Sequence, residues 1–287
     1  MRYIAVKLVC FLLSFNNPIS ADIQTTIFEE MTDSGSGFDD REKTDIEKPA
    51  YVEMTLGETT VNGIRIKDCV ITADYWPNPD NHRDPCLVAS IRYPQIAEMQ
   101  DESLQGKINK LLLNAATQAL NHENAEDTLK LFDDIVHHGL NTFWFCDNEY
   151  HIVYAGDDRI SVSYKGMSYF GGAYPSSFND YITISLSSGE MVPFTDYFSK
   201  ENVIAAIRSL EFDLFEGHYN PGGYEGHEPK IVEGFIAEVE ELEDSFDTFM
   251  GNTYNFAIDD RFAYIEFPFY DSLNGYVVLR FNLDALK

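Results

Sequence analysis

The sequence predicts an α+β fold, in which several helices pack on a largely antiparallel sheet to form a single compact ectodomain of two parts. Three observations lead to this prediction. Strand-like and helix-like stretches come in groups rather than in strict alternation, which disfavours a parallel α/β fold. Two pairs of strand-like runs are separated by turn-rich segments, as hairpins require. With 287 residues, of which 44% are hydrophobic, the chain can bury one large core or two smaller coupled ones.

The globular part begins near Tyr51 and opens with a predicted hairpin. Its arms are residues 64–73 and 87–93, which are both strand-like and flank a turn-rich segment. Two helices follow, because apolar residues recur at helical spacing after this hairpin. The second helix is predicted to begin near Asn124, with Asp127 as its capping partner.

A second hairpin and the C-terminal elements are predicted from the same patterns. Residues 150–154 and 160–164 alternate with period two across a glycine turn, which is a strong hairpin signal. Helices are expected over residues 202–215 and 231–249, where apolar residues again follow helical spacing. Two aromatic strands, separated by a turn at Gly275, complete the prediction.

The first residues have the composition of a secretory signal. Arg2 and Lys7 form a basic start, residues 8–15 are apolar, and residues 19–21 offer a small-residue cleavage site. The apolar run is too short to span a bilayer comfortably. We therefore expect residues 1–21 to be a cleaved signal peptide. The mature protein would be periplasmic or extracellular, with no stable membrane span.

The chain is strongly acidic, with a net charge of −28 at pH 7. Cleavage after residue 21 would leave 18 basic residues against 48 acidic ones, a net charge of −30. Residues 22–50 mix acids with serine and glycine, which predicts a flexible acidic leader. Such a charge repels nucleic acid and anionic lipid, and it speeds association with cationic proteins. The alternative is that the acidity only keeps an exported protein soluble.

Three cysteines remain after the expected cleavage. Cys69 and Cys86 flank a turn-rich loop between two strand-like runs, so their placement fits a cross-strand disulfide in an exported chain. Cys146 lies in an aromatic run and is predicted to be a buried thiol. The sequence has no CxxC pair and no zinc-like Cys/His spacing. No metal site is therefore expected.

The usual catalytic signatures are missing from the sequence. It contains no GxSxG elbow, no HExxH, no P-loop and no GxGxxG. The many carboxylates define no acid/base pair, because nothing in the sequence fixes their separation. A glycine-rich loop from His218 to His227 is better explained as a recognition loop than as a metal site. We expect a protein without catalytic residues and without a cofactor.

The most distinctive stretch is residues 168–175, Ser-Tyr-Phe-Gly-Gly-Ala-Tyr-Pro, which lies between two strand-like runs. Its adjacent glycines allow a sharp bend that exposes the aromatic rings. The plainest interpretation is a tight connection within a sheet.

Several segments resemble, in order, those of one bacterial extracytoplasmic family. The matching passages are an opening with YPQI and INK, a GGA passage, a hairpin with a helix entry, and a closing pair of strands: residues 91–96 with 104–111, 160–173, 186–198 and 267–281. Over roughly residues 60–287 the chain is similar to the domain of unknown function 3298 family. That family occurs in the lysozyme-binding ectodomain of an anti-sigma factor (RsiV) and beside the catalytic domain of some peptidoglycan deacetylases.

The resemblance implies two halves and a binding role. Residues 51–165 would form a PdaC-like N-terminal half and residues 166–287 an RsiV-like C-terminal half, with no catalytic domain and no anti-sigma segment. The implied partner is a cationic protein such as a lysozyme-like muramidase. The family's His-Gly after the glycines is replaced here by Tyr174-Pro175, and its Pro-Tyr loop by Pro268-Phe269, so the identity of the partner is open.

We therefore expect an exported, non-catalytic binding protein of the bacterial envelope that binds or inhibits a cationic, lysozyme-like wall hydrolase. Tyrosine offers a large contact area at low entropic cost, so two tyrosine-bearing glycine loops are the expected contact surface. The expected contact residues are Ser168, Tyr169, Gly171, Gly172, Tyr174, Tyr270, Asp271, Asn274 and Gly275. Two alternatives remain: a wall-processing enzyme with an unrecognised site near the double glycine, and a structural or assembly domain of the envelope.

Overall fold

Ten strands in two sheets and three α-helices make up the part of the chain that the computed structural model describes. The described residues are 50–75, 87–118, 124–138, 144–169, 176–218, 256–269 and 275–286, all within the unit that spans residues 48–287. The predicted signal peptide, the leader before residue 50 and the predicted helix over residues 231–249 lie outside them. None of the described helices is long and apolar enough to cross a membrane.

Six strands form the large sheet, in the order in which they occur along the chain. Every neighbouring pair is antiparallel except β3 and β4, which are parallel. This confirms the predicted α+β class, the largely antiparallel sheet and both predicted hairpins. The strands are β1 (Val52–Val61), β2 (Ile64–Tyr75), β3 (Leu87–Ile96), β4 (Trp144–Ala155), β5 (Arg159–Tyr169) and β6 (Ser176–Ser185).

Two helices, α1 (Glu102–Gln118) and α2 (Ala125–His138), form the crossover between β3 and β4 and pack on one face of the large sheet. Ile108 and Leu112 of α1 are fully buried in this core. The predicted cap of α2 is confirmed: the backbone N–H of Asp127 donates to Oδ1 of Asn124 at 3.0 Å. The amide of Asn124 in turn donates to the Asp127 carboxylate at 2.8 Å.

Asn148 of β4 ties this crossover together. Its Oδ1 accepts the backbone N–H of Arg92 in β3 at 2.6 Å, and its Nδ2 donates to the backbone carbonyl of Ala116 in α1 at 3.1 Å. The side chain is 3% exposed. A buried amide with both ends satisfied is the arrangement that makes a polar core residue tolerable.

Four strands form the small sheet, in the order β7-β10-β9-β8, and all neighbours are antiparallel. The third helix, α3 (Lys200–Arg208), packs on it through Val203 and Ile207. Their core also contains the fully buried rings of Phe256 and Phe281. The strands are β7 (Phe212–His218), β8 (Phe256–Ile258), β9 (Phe262–Phe269) and β10 (Gly275–Asn282).

The predicted helix over residues 202–215 is right at its start and wrong at its end. Ser199 caps α3 by accepting the backbone N–H of Asn202 at 3.1 Å. The helix stops at Arg208, and Leu210 then adopts a left-handed φ of 56°. The remaining residues form β7, where Phe212 packs against the small-sheet core beside Phe281. Pairing with β10 overrides the helical spacing of the sequence.

The predicted disulfide between Cys69 and Cys86 is also wrong, because the register of the hairpin separates the two positions. Cys69 lies opposite Tyr93, whereas Tyr75, six residues further along β2, lies opposite Leu87. At about 3.3 Å per residue this is roughly 20 Å, far beyond the Cα separation that a disulfide allows. Cys86 itself lies outside the described residues, and Cys69 is a free, buried thiol.

We expect chemical labelling to show Cys69 and Cys146 as free but slow thiols. Burial raises the pKa of both thiols, and only the thiolate reacts readily. Maleimide labelling of the native protein should therefore modify neither within the time that an exposed thiol needs, and labelling after denaturation without reductant should modify both. A Cys69–Cys86 peptide in a non-reducing digest would contradict this expectation.

Candidate functional site

Each of the two predicted loops connects two neighbouring strands within one sheet, and the two loops belong to different sheets. Residues 170–175 join β5 to β6 in the large sheet, and residues 270–274 join β9 to β10 in the small sheet. Gly275 is the first residue of β10. Six of the predicted contact residues lie outside the described residues, namely Gly171, Gly172, Tyr174, Tyr270, Asp271 and Asn274. That the two loops lie together stays a prediction.

Ser168 and Tyr169 belong to β5 rather than to the loop in which the sequence placed them. Ser168 lies opposite Cys146 of β4 and Ser176 of β6, and it is only 5% exposed. A hydroxyl buried to this degree is out of reach of a partner protein. Tyr169 is half-buried opposite Phe145. The predicted boundary between residues 165 and 166 falls inside this same strand.

The two sheets are joined through buried hydroxyl groups at the other end of β5. The hydroxyls of Ser161 and Thr183 lie 2.9 Å apart and are fully buried. Thr183 donates to the backbone carbonyl of Phe256 at 3.1 Å, and the backbone N–H of Ile258 donates to Ser161 at 3.4 Å. The Phe256 carbonyl and the Ile258 N–H of β8 are thus satisfied by the large sheet, which fixes β8 against β5 and β6.

Arg159 forms a second link between the sheets, close to the first. Its guanidinium contacts the Asp158 carboxylate at 2.7 Å and donates to the backbone carbonyl of Asp259 at 3.2 Å. It also lies over the ring of Tyr154, 4.3 Å from the centroid. The Arg159 side chain is only 14% exposed, so this one buried cation neutralises part of the acidic charge around it.

The fold brings two copies of one tripeptide together at this point. Asp-Asp-Arg occurs at residues 157–159 and 259–261, and also at residues 39–41, which lie outside the described residues. The contact between Arg159 and the carbonyl of Asp259 joins the first two copies, across a separation of 100 positions. Asp259 closes its own turn, since the backbone N–H groups of Arg261 and Phe262 donate to its carboxylate at 2.7 and 2.6 Å. The sequence reasoning missed this group. Repetition of the tripeptide alone does not identify this pair, because a third copy stands at residues 39–41.

We call the surface around Arg159 the Asp-Asp-Arg surface; it also includes Tyr154, Tyr197 and Asp260. Tyr197 is 39% exposed. Burial raises the pKa of both tyrosines, and the nearby Arg159 opposes that rise. Carboxylates beside an exposed tyrosine can provide charge complementarity and contact area toward a cationic protein.

Titratable side chains, the groups that acid/base chemistry requires, come together among the described residues in a polar network across β2, β3 and β4. Arg92 contacts the Asp68 carboxylate at 2.5 Å, and Tyr150 is hydrogen-bonded to the same carboxylate. Burial raises the pKa of Asp147, although a hydrogen bond from Ser90 opposes this. These contacts hold the three strands together. No group of three or more His, Cys, Asp or Glu among the described residues could hold a metal ion.

Comparison with known proteins places this fold. Residues 81–177 match the family described as Deacetylase PdaC. No curated protein sequence matches the chain. The structure is similar to that of a DUF3298 family protein from Bacteroides fragilis, with a TM-score of 0.50 and 12% identity, over 79% of this chain and 93% of that chain. A DUF3298 family protein from Pseudomonas aeruginosa gives a TM-score of 0.46 and 11% identity, over 78% and 92% of the two chains.

These comparisons confirm the resemblance predicted from the sequence. The PdaC match covers β3, the crossover helices, β4, β5 and the first residues of β6. The Bacteroides structure shares the fold over 79% of this chain. At 12% identity the likeness concerns the fold alone.

Proposed function

We propose that this chain is a non-catalytic binding protein of the bacterial envelope and that its partner is a cationic wall hydrolase of the lysozyme type. The observation that carries the proposal is a DUF3298-type fold on a chain with a net charge of −28. An acidic protein of this kind attracts a basic partner over distances of about a Debye length, roughly 10 Å at 0.1 M salt.

The described ion pairs strengthen this argument, because they leave the surface acidic. In each described pair a carboxylate contacts a basic side chain, so these cations do not offset the remaining acids at long range. The pairs are Arg65 with Glu98, Arg92 with Asp68, Lys107 with Glu190, Arg159 with Asp158, and Arg280 with Asp213.

The proposed contact surface consists of the loops at residues 170–175 and 270–274. Because β5 and β6 belong to the large sheet and β9 and β10 to the small one, a partner that touched both loops would be held by both sheets. The ladder pairing of β5 with β6 and of β9 with β10 gives such loops rigid supports. Tyr174 and Tyr270 supply the aromatic side chains.

Salt should act mainly on the association rate. Raising the salt concentration from about 0.01 M to about 0.1 M shortens the Debye length from about 30 Å to about 10 Å. We expect the association rate with a cationic lysozyme to fall about tenfold, while the dissociation rate changes less than about twofold. Surface plasmon resonance measures both rates. The control is a basic protein of similar charge. Equal binding to both proteins, or binding to neither, would contradict the proposal that the chain recognises a lysozyme-type hydrolase specifically.

Tyr174→Ala should act on the dissociation rate instead. If this tyrosine is a central anchor, its loss should cost about 2 kcal/mol and raise Kd about thirtyfold, mostly through faster release. The matched control is Tyr197→Ala, which removes an exposed tyrosine from the Asp-Asp-Arg surface. If Tyr197→Ala raised Kd and Tyr174→Ala did not, the contact surface would be the Asp-Asp-Arg surface rather than the loops. The proposed class of partner would be unchanged.

A peptidoglycan assay tests the non-catalytic part of the proposal. Purified protein incubated with wall polymer should release neither reducing ends nor acetate, with or without divalent metal or nucleotide. Any turnover would favour the enzyme alternative. Specific, salt-sensitive capture of lysozyme would in turn contradict a purely structural role.

A further inference from the structure

The outer strand of the large sheet, β1, is a long exposed edge. The order of strands begins at β1, and within the described part of the chain β1 pairs only with β2. Nine of its ten residues are exposed. Three of them are large and apolar, since Val52, Met54 and Leu56 are 44%, 45% and 39% exposed. Exposed edges of this length are sites where another strand can add.

The usual protections of a sheet edge are few in this strand. It contains no proline and no lysine, the residues that most often block strand addition. Its one irregularity is a bulge at Leu56, where the register with β2 shifts between Thr55 and Gly57. On either side of the bulge the backbone stays in regular ladder pairing with β2.

Glu53 and Glu58 are the two charged residues of this edge. The hydroxyl of Tyr93 donates to the Glu53 carboxylate, which Gln95 also contacts. Glu58 lies opposite Lys67 of β2. The other eight residues of the strand are uncharged, so most of the edge matches an uncharged, partly apolar strand.

The sequence of β1 is complementary to an antiparallel copy of itself. A two-fold axis between Leu56 and Gly57 would place each residue of one copy opposite a residue of the other copy on the same face of the sheet. This follows because the bulge at Leu56 reverses the alternation of faces along the strand, and it does so in both copies. No two glutamates would lie directly opposite each other. The resulting pairs are Val52 with Val61, Glu53 with Thr60, Met54 with Thr59, Thr55 with Glu58, and Leu56 with Gly57.

We propose that β1 is a self-association edge, at which a second copy of this chain adds antiparallel and continues the large sheet across the two-fold axis. One ten-residue edge buries less than the roughly 1,200–2,000 Å² of a stable interface, so the dimer should be weak, with a Kd of about 10 µM or higher. The charge of −28 on each copy opposes pairing at low salt.

Sedimentation velocity on the full chain tests the proposal. Raising the salt concentration from about 0.01 M to about 1 M should increase the dimer fraction, because the Debye length falls from about 30 Å to about 3 Å. This direction is opposite to that expected for a cationic hydrolase, so the two proposals fail independently. A monomer at every salt and protein concentration would overturn the edge proposal.

Two sets of variants test the edge itself. Met54→Glu should raise the dimer Kd at least about tenfold, because it brings an acid to an apolar strip near the axis. The control Leu210→Glu makes the same change at a 60% exposed leucine elsewhere and should leave the dimer unchanged. Equal effects of the two would overturn the proposal.

Cross-linking tests the register. The double variant Val52→Cys with Val61→Cys should give a covalent dimer on oxidation, since these residues would lie opposite each other across the axis. Val52→Cys alone should not, because its two copies would be about 30 Å apart along the strands. Equal cross-linking by the single and double variants would overturn the proposed register, and with it the self-complementary pairing.

Discussion

Gly166→Ala should destabilise the protein by about 3 kcal/mol and lower its Tm by about 10 °C. Gly166 lies in β5 between Asn148 of β4 and Phe178 of β6. A Cβ at this position would come within 2.6 Å of the Phe178 ring and 2.8 Å of the Asn148 Cα, and closer still to the Asp147 carbonyl oxygen. Two of these atoms belong to the backbone of β4, so the ladder itself would have to move.

Gly106→Ala is the matched control. Gly106 lies within α1, and a Cβ there would meet nothing within 4 Å. Alanine is up to about 1 kcal/mol better than glycine inside a helix, so this variant should be slightly more stable than the parent. Urea unfolding followed by circular dichroism measures both changes. Equal stability of the two variants would mean that β4 and β5 are not packed as closely as described.

Asp180→Asn should stabilise the protein at neutral pH and leave it almost unchanged at acidic pH. Asp180 lies in β6 opposite the fully buried Tyr164. Burial raises the pKa of Asp180 to about 6, whereas the pKa of an unfolded aspartate is about 3.9. The folded protein therefore binds more protons than the unfolded chain between these values, and stability falls as pH rises through them.

The pKa difference corresponds to a loss of about 3 kcal/mol, complete above about pH 6. An asparagine cannot ionise, so the variant should recover most of this free energy at about pH 7 and little at about pH 4. Asp134→Asn, at an exposed position of α2, is the control and should have little effect at either pH. A gain for Asp180→Asn that is the same at both values would exclude ionisation as the cause.

Periodicity predicted the elements whose contacts are local. The crossover helices, the Asn124 cap and the hairpins at residues 64–93 and 150–164 all follow from neighbouring residues, and all are confirmed. The strand β7 did not follow, because its partner β10 lies some sixty positions away and packing overrides helical spacing. The Cys69 pairing failed because a symmetric placement around a loop does not specify the register of a hairpin.

The candidate site was predicted less well than the fold. The sequence pointed to a glycine loop at residues 168–175, and so gave Ser168 an exposed position that β5 does not allow. The Asp-Asp-Arg surface depends on Arg159 reaching Asp259 across the junction of the two sheets. Such contacts arise from how sheets stack, which no local pattern encodes.

The single parallel pairing in the large sheet has a consequence for how the chain assembles. β1 to β3 and β4 to β6 are each linked by short connections, so each group of three strands can form from nearby contacts. Joining them requires Leu87 to meet Trp144 after the whole helical crossover, and closing that loop costs about 3–4 kcal/mol of chain entropy. The PdaC-matched residues, 81–177, are centred on this joint, so the matched segment contains both parallel strands and the whole crossover between them.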